Sequence, residues 1–372
     1  MQYTEFGNTG IKVSKLGFGA MRLPMVEIDG KKDVDYDKAT EMIHRAFELG
    51  VNYIDTAPYY CEKKSETAVG RALKGWRDKV YLSTKNPIEN KSGSDWRKRL
   101  ENSLNQLDTD YIDFYHMWGI NWQAYQDNID VPDGPIEAAF KAKEEGLIKH
   151  ISFSFHDDAE NLFKIIDTGH FETMLVQYNL LDRSNEEGIA YAQEKGLGVV
   201  VMGPIGGGRL GAPSTKLSNL MDKSKSTVET ALRFVLANPN INIALSGMEN
   251  IAMLEENARV ASNSDPLSEE ELANVRDMLE ENKKMAELYC TGCEYCLPCP
   301  HNVKIPKVFE LMNYHRVYGL TDYAKNELKK IIENDKDEFG PEKCVECAIC
   351  ESKCPQNIEI IRQLKETAKA LS

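Results

Sequence analysis

The sequence predicts an α/β protein, a (β/α)8 barrel followed by a small, mainly helical C-terminal domain. Two observations carry that prediction. Strand-like apolar runs alternate strictly with amphipathic helical stretches over residues 1–263, and eight of the nine cysteines crowd between Cys290 and Cys354. Strict alternation requires parallel strands joined by helical crossovers. Eight strand–helix units in about 250 residues fit a closed barrel. The competing open doubly wound sheet usually carries a G-x-G-x-x-G turn after its first strand, which GFGAMRLP matches poorly.

The predicted strands are 16–20, 51–55, 80–84, 111–117, 150–154, 174–178, 198–202 and 242–246. Between them helical periodicity covers 37–49, 65–74, 95–107, 135–145, 158–168, 186–195, 226–238 and 250–262. The first of these puts Ala39, Met42, Ile43, Ala46, Phe47 and Leu49 on one face, and Gly50 is placed to end the helix in the left-handed conformation. The opening YTEFGNTGIKV reads as a hairpin around Asn8-Thr9-Gly10. Residues 264–286 read as an acidic connecting helix, with Ser268 as its N-cap. The tail, 287–372, has a helical middle at about 306–333 and too few apolar residues to hold together well without staples.

With 372 residues the chain is too long for one ordinary domain. Its formal charge is 45 − 59 = −14, and 42% of its residues are apolar. That composition describes a globular protein with ample core. An acidic chain without a basic block excludes nucleic acid as the main partner. No apolar run is long enough to span a membrane, and MQYTEFGNTG lacks the basic and apolar regions of a secretory signal. The expected compartment is the cytoplasm.

The tail cysteines fall in two runs, Cys290-x2-Cys293-x2-Cys296-x2-Cys299-Pro and Cys344-x2-Cys347-x2-Cys350-x3-Cys354-Pro. The second has the spacing of two-cluster ferredoxins, and the first differs by one residue in its last gap. Each C-x2-C turn points thiolates at one cubane, and the cysteine before proline reaches the other. Two [4Fe-4S] clusters follow, one on Cys290, Cys293, Cys296 and Cys354, the other on Cys344, Cys347, Cys350 and Cys299. Two structural zinc ions would also be served by eight thiolates. Four disulfides would need an oxidising compartment.

Active groups of a parallel barrel gather at the C-terminal ends of its strands. There the sequence places Asp55-Thr56-Ala57-Pro58-Tyr59-Tyr60, then Lys85, then His116. A Tyr beside a Lys that is held by an Asp has a chemical use. The ammonium favours phenolate, and the phenol gives its proton to a carbonyl oxygen while hydride arrives at carbon.

D-T-A-x-x-Y, the strand ending in T-K and the Y-I-D-F-Y strand resemble the aldo-keto reductase family over residues 1–262. So do Lys15–Arg22, Ser65–Gly70, Ile151–Ser154, Val176–Asn179, Gly203–Leu210 and Glu255–Asn257, while the tail resembles the ferredoxin-like extension of one branch. The resemblance implies Tyr60 as general acid tuned by Lys85 and Asp55, with His116 a further catalytic candidate. It implies a nicotinamide cofactor held at its carboxamide by Ser154 and Gln177, with Met202 over the ring. The glycines Gly206, Gly207 and Gly208 with Arg209 and Leu210 would wrap the pyrophosphate. Glu256 and Asn257 would face the adenine, and Gly19, Met21 and Arg22 would lie beside the cofactor.

Three departures stand out, one being Met202, where many members stack an aromatic on the nicotinamide. The family usually ends strand four with a His five residues after the Asp of Y-x-D, where this chain has Trp118. His116, two residues earlier, lies on the same strand face but about 6–7 Å deeper, within reach of the mouth only if a bulge intervenes. His156 is the other candidate donor. The segment 246–253 lacks cations for a 2′-phosphate and carries Glu249, which keeps NAD(H) open beside NADP(H). Trp118, Trp122 and Tyr125 fall in 118–132, a lid, a pocket wall or a loop packed on itself.

Three readings follow. The first is an NAD(P)H-linked reductase of a small carbonyl compound, an aldehyde, ketone or sugar-like molecule, with clusters that staple the tail. The second is an electron-transfer protein whose clusters serve a redox protein partner. The third is a binding module that has lost catalysis at Trp118.

Overall fold

A computed structural model of the chain describes residues 1–221, 224, 226–263, 267–288, 294–334, 340–354 and 358–371. Contacts divide it into two compact units, Met1–Gly207 with Ala231–Pro266, and Gly208–Thr230 with Leu267–Ser372.

The first unit opens on a hairpin, β1 (Tyr3–Glu5) and β2 (Lys12–Ser14), as its Asn-Thr-Gly turn predicts. The barrel strands are β3 (Leu16–Gly19), β6 (Tyr53–Asp55), β7 (Tyr81–Pro87), β8 (Ile112–Ile120), β9 (Ile148–Phe155), β10 (Thr173–Gln177), β11 (Gly198–Met202) and β12 (Ile243–Gly247). They form a closed barrel of parallel neighbours, with β12 pairing β3. Between β3 and β6 lies a second hairpin, β4 (Met25–Ile28) and β5 (Lys31–Val34). Its turn residues Asp29 and Gly30 have φ 51° and 74°, the positive pair that Asp-Gly hairpins adopt.

Each predicted helix forms within about two residues of its expected limits, from Tyr36–Glu48 to Ile251–Ser262. Gly50, φ 90°, follows the first.

The lower barrel is filled by Tyr53, Phe114, Leu175, Val200 and Ile243, and Phe6 of the first hairpin packs into the same cluster. Phe6 meets Phe114 at 5.0 Å between ring centroids. This fit depends on Gly7. Its φ is +50°, and a Cβ there would stand 2.4 Å from Gly198 N, a backbone atom that cannot swing aside. Gly7→Ala is expected to cost about 1–3 kcal/mol through overpacking and left-handed strain, read as a lower urea midpoint at unchanged slope.

In the second unit Ser268 caps the helix Glu269–Leu288. Its hydroxyl accepts from Glu271 N at 3.1 Å, and the Glu271 carboxylate accepts from Ser268 N at 2.9 Å. The helices Ile305–Arg316, Thr321–Asn334 and Ile360–Leu371 follow. Among the described residues no helix is long and apolar enough to cross a membrane.

Candidate active site

Strand β7 alternates its side chains, so Ser83 and Lys85 share one face, and both are buried. Register sets Asp55 beside Ser83 and Lys85 beside His116. Lys85 Nζ donates to Asp55 Oδ2 at 2.5 Å and to the Thr56 carbonyl at 2.7 Å. The same ammonium lies 4.9 Å from the centre of the Tyr60 ring. Three of the expected catalytic residues, Asp55, Tyr60 and Lys85, are therefore in one group.

Tyr60 is aimed by a tight turn. Cys61, Glu62 and Lys63 have φ 49°, 53° and 64°, and Lys64 N donates back to the Tyr60 carbonyl at 3.2 Å. Ser65 closes the turn, donating to the Ala20 carbonyl at 2.8 Å and meeting Thr56 Oγ1 at 2.7 Å.

The electrostatics add burial to the expected pull of Lys85. Burial pushes the Tyr60 phenol above its ordinary pKa, and the pull of Lys85 towards phenolate does not overcome it. Lys85 is held above its ordinary value because Asp55 and Tyr60 outweigh its burial. Tyr60 thus stands protonated beside a fixed positive charge, the state of a proton donor.

His116 is fully buried and touches Ser83 Oγ through Nε2 at 2.9 Å. A register shift does occur, but between Met117 and Ile120, downstream of His116. It re-aims Trp118 instead, whose ring meets Tyr60 edge-on at 5.9 Å and Tyr59 at 5.4 Å. The mouth beside Tyr60 has an aromatic wall where the family's His was expected. Trp122 and Tyr125 are not part of that wall. They stack on each other at 5.6 Å, and the Tyr125 hydroxyl meets His170 Nδ1 at 2.5 Å. His156 is exposed as a residue and adjoins Gly119, and partial desolvation of its ring lowers its pKa.

Several expected cofactor contacts lie at strand ends of the first unit. Gly19 ends β3 opposite Asp55 and Gly247, and Gln177 ends β10 opposite Met202. Met21 is exposed. Ser154 accepts from Gly119 N at 2.7 Å, leaving its hydroxyl hydrogen for another partner. Gly206, Gly207 and Gly208 have φ 61°, 67° and 99°, a run of left-handed backbone that only glycine adopts readily. Arg22 donates to the Gly207 carbonyl at 2.9 Å and pairs with Glu249 at 3.3 Å. Asn257 is buried and donates to Ser246 Oγ at 3.2 Å, and Glu256 is half-buried. Arg209 and Leu210 belong to the second unit. There Arg209 donates to the Tyr314 hydroxyl, which in turn donates to Glu310 at 2.7 Å.

The tail cysteines are also in the second unit. Cys299, Cys344, Cys347 and Cys350 line one small cavity with Val303, Ile305 and Leu364. Glu346 and Ala348, between those cysteines, have φ 59° and 58°. Such left-handed steps curl a turn so that its amides form a concave nest, as at many iron–sulfur sites. This donor set suits a cluster on Cys344, Cys347, Cys350 and Cys299. Cys296 is buried and Cys354 half-buried, and no disulfide joins the described cysteines. Cys290 and Cys293 lie outside the described residues.

Sequence reasoning does not single out Ser83, although it stands two residues before Lys85 and so shares its face. Nor does it reach Glu89, which accepts from the Tyr59 hydroxyl.

A profile of the Aldo/keto reductase family matches residues 15–280, and one of the 4Fe-4S dicluster domain matches residues 289–359. L-galactose dehydrogenase of Arabidopsis thaliana is 29% identical over 315 residues, covering 77% of this chain and 96% of that protein. Among solved structures, the holo form of aldo-keto reductase AKR11C1 from Bacillus halodurans superposes with a TM-score of 0.64 at 29% identity. It covers 74% of this chain and 96% of its own. An aldo-keto reductase from Klebsiella pneumoniae, solved in complex with NADPH, gives 0.61 at 25% identity over 74% and 94%.

Proposed function

The chain belongs to the aldo/keto reductase family of oxidoreductases and carries a 4Fe-4S dicluster domain, and from that premise we propose that it is an NAD(P)H-linked reductase of small carbonyl compounds. The observation that carries this reading is Tyr60 beside the buried Lys85–Asp55 pair at the end of β6. Tyr60 gives its phenolic proton to the carbonyl oxygen, and Lys85 stabilises the phenolate left behind. Asp55 keeps Lys85 charged in a dry site, where an unpaired ammonium would be neutralised. Trp118 shields the mouth and packs against a planar or apolar substrate. When bound, the nicotinamide supplies the hydride. Ser154 and Gln177 would hold its carboxamide, Met202 would cover the ring, and the Gly206–Gly208 backbone would meet the phosphates.

The arrangement is residues 1–263 as the catalytic barrel, 264–286 as a connecting helix and 287–372 as the domain for two [4Fe-4S] clusters. Thiolate ligands favour a reducing compartment, the cytoplasm. A second reading, electron transfer to a redox protein partner, is favoured by the exposure of Cys347 between the exposed Val345 and Ile349.

The experiment is anaerobic. Cluster-replete protein receives NADPH or NADH alone and then benzaldehyde, while nicotinamide and cluster absorbance are followed. Nicotinamide oxidation only after the aldehyde is the expected result. Failure of both nicotinamides to bind overturns the reading. Reduction of the clusters without aldehyde turns the case towards electron transfer.

A further inference from the structure

Beneath Tyr60 the barrel interior holds a line of polar groups that the reductase reading leaves unused. Ser83 Oγ lies 2.8 Å from Asp55 Oδ1, on the side of that carboxylate away from Lys85. His116 Nε2 lies 2.9 Å from the same hydroxyl. All three residues are buried.

The direction of these bonds follows from donor counting. Burial raises the Asp55 pKa against the pull of Lys85 and Ser83; as the carboxylate partner of the Lys85 ammonium it only accepts, so Ser83 spends its single hydrogen on Asp55. His116 must therefore donate, which fixes the neutral tautomer with hydrogen on Nε2. Burial and the charge on Lys85 push the His116 pKa down to about 3, so the ring is uncharged at neutral pH. Its Nδ1 is buried and makes no hydrogen bond among the described residues. The contact with Ser83 and the nearby backbone of Phe153 orient this imidazole.

We propose that Ser83 and His116 are positioning residues, forming a one-way hydrogen-bond chain that ends on Asp55, offsets its negative charge and so sets the acidity of Tyr60. The proposal rests on the reading of Tyr60 as the acid. Asp55 raises the phenol's pKa and Lys85 lowers it. Two hydrogens in series pointing at Asp55 weaken the first effect and leave the second intact. Polar interior residues thus tune the acid from below, in a barrel whose mouth carries Trp118 instead of a hydrogen-bonding His.

The charged and titratable groups around this chain are few. Tyr53 faces Ser83 and Asp55 from β6, and Asp113 acts on Tyr53 from β8. Glu66 faces Lys85 from the helix Ser65–Ala72, and Cys61 faces Tyr60. Phe153 presents backbone to His116 from β9.

The test reads the phenol directly and needs no cofactor. Difluorotyrosine is placed at position 60, where its lower intrinsic pKa brings the titration into a range the fold survives. Its fluorine resonance is followed against pH. Ser83→Ala and His116→Leu should move the midpoint up, by at most about one unit, because a hydrogen bond to Asp55 reaches the phenol only through that carboxylate. Ser83→Thr and His116→Gln keep the donors and should leave it in place. An unmoved midpoint in Ser83→Ala and His116→Leu overturns the proposal. So does a downward shift, or an equal shift in all four variants. If Ser83→Ala does not fold, His116→Leu supplies the reading. Loss of fold in both, with the Thr and Gln variants intact, assigns the pair to stability alone and overturns the proposal. The reductase reading is judged separately, by the kinetics of Tyr60→Phe.

Discussion

Tyr60→Phe lowers turnover of a carbonyl substrate by about 10²–10⁴-fold and leaves nicotinamide affinity unchanged, a loss of the size that a positioned general acid supplies. The variant is a narrow probe. Phenylalanine keeps the ring that meets Trp118 at 5.9 Å and the cation–ring approach of Lys85 at 4.9 Å, and removes only the hydroxyl. Binding, measured by nicotinamide fluorescence titration, and turnover, measured by steady-state kinetics, should therefore separate. The parent's pH profile has a definite sign. Reduction needs the protonated phenol, and burial holds the phenol's pKa above its ordinary value. The rate should stay level through neutrality and fall only as pH rises through that raised pKa. Unchanged turnover in Tyr60→Phe would remove the assignment of the acid and favour the electron-transfer reading.

The second large effect is on metal content. Cys344→Ser is expected to halve the iron, from about eight to about four atoms per chain, with a matching loss of sulfide and visible absorbance. Cys344 shares its cavity with Cys347, Cys350 and Cys299, so one missing thiolate should empty one site and spare the other. Metal ligation in so small a domain is also folding energy. The variant's tail should be cut faster by protease, while benzaldehyde turnover by the barrel continues if the clusters only staple the tail. Elemental analysis decides between cofactors. Zinc in place of iron, at about two ions per chain falling to about one, would overturn the cluster assignment.

The barrel was legible because its strands are nearly continuous apolar runs, as sheets covered on both faces require. GVVVM is the clearest case, and β11 spans Gly198–Met202, the predicted residues. Strand β8 runs on to Ile120 past its expected end, because the register shift interrupts the alternation at Trp118 and Gly119. The hairpin of β4 and β5 carries its own signal, Asp29-Gly30, yet its strands are short, largely exposed and, in β5, mostly polar, so hydrophobic patterning does not reveal it. Asp55, Tyr60 and Lys85 could be placed together because each ends or follows a strand. Ser83 and the tautomer of His116 could not, because they depend on which hydrogen goes where between neighbouring strands. The grouping of 208–230 with 267–372 is equally invisible in sequence order, being a matter of tertiary contact.

The left-handed turn at Cys61–Lys63 has a bearing on how this protein could change. Three consecutive side chains sit where L-residues pay about 1–2 kcal/mol each, and they do so directly after Tyr60. Glycine would relax the turn at each position, and would also free it to wander. Relief of backbone strain and a fixed aim for Tyr60 therefore ask for different residues in this turn.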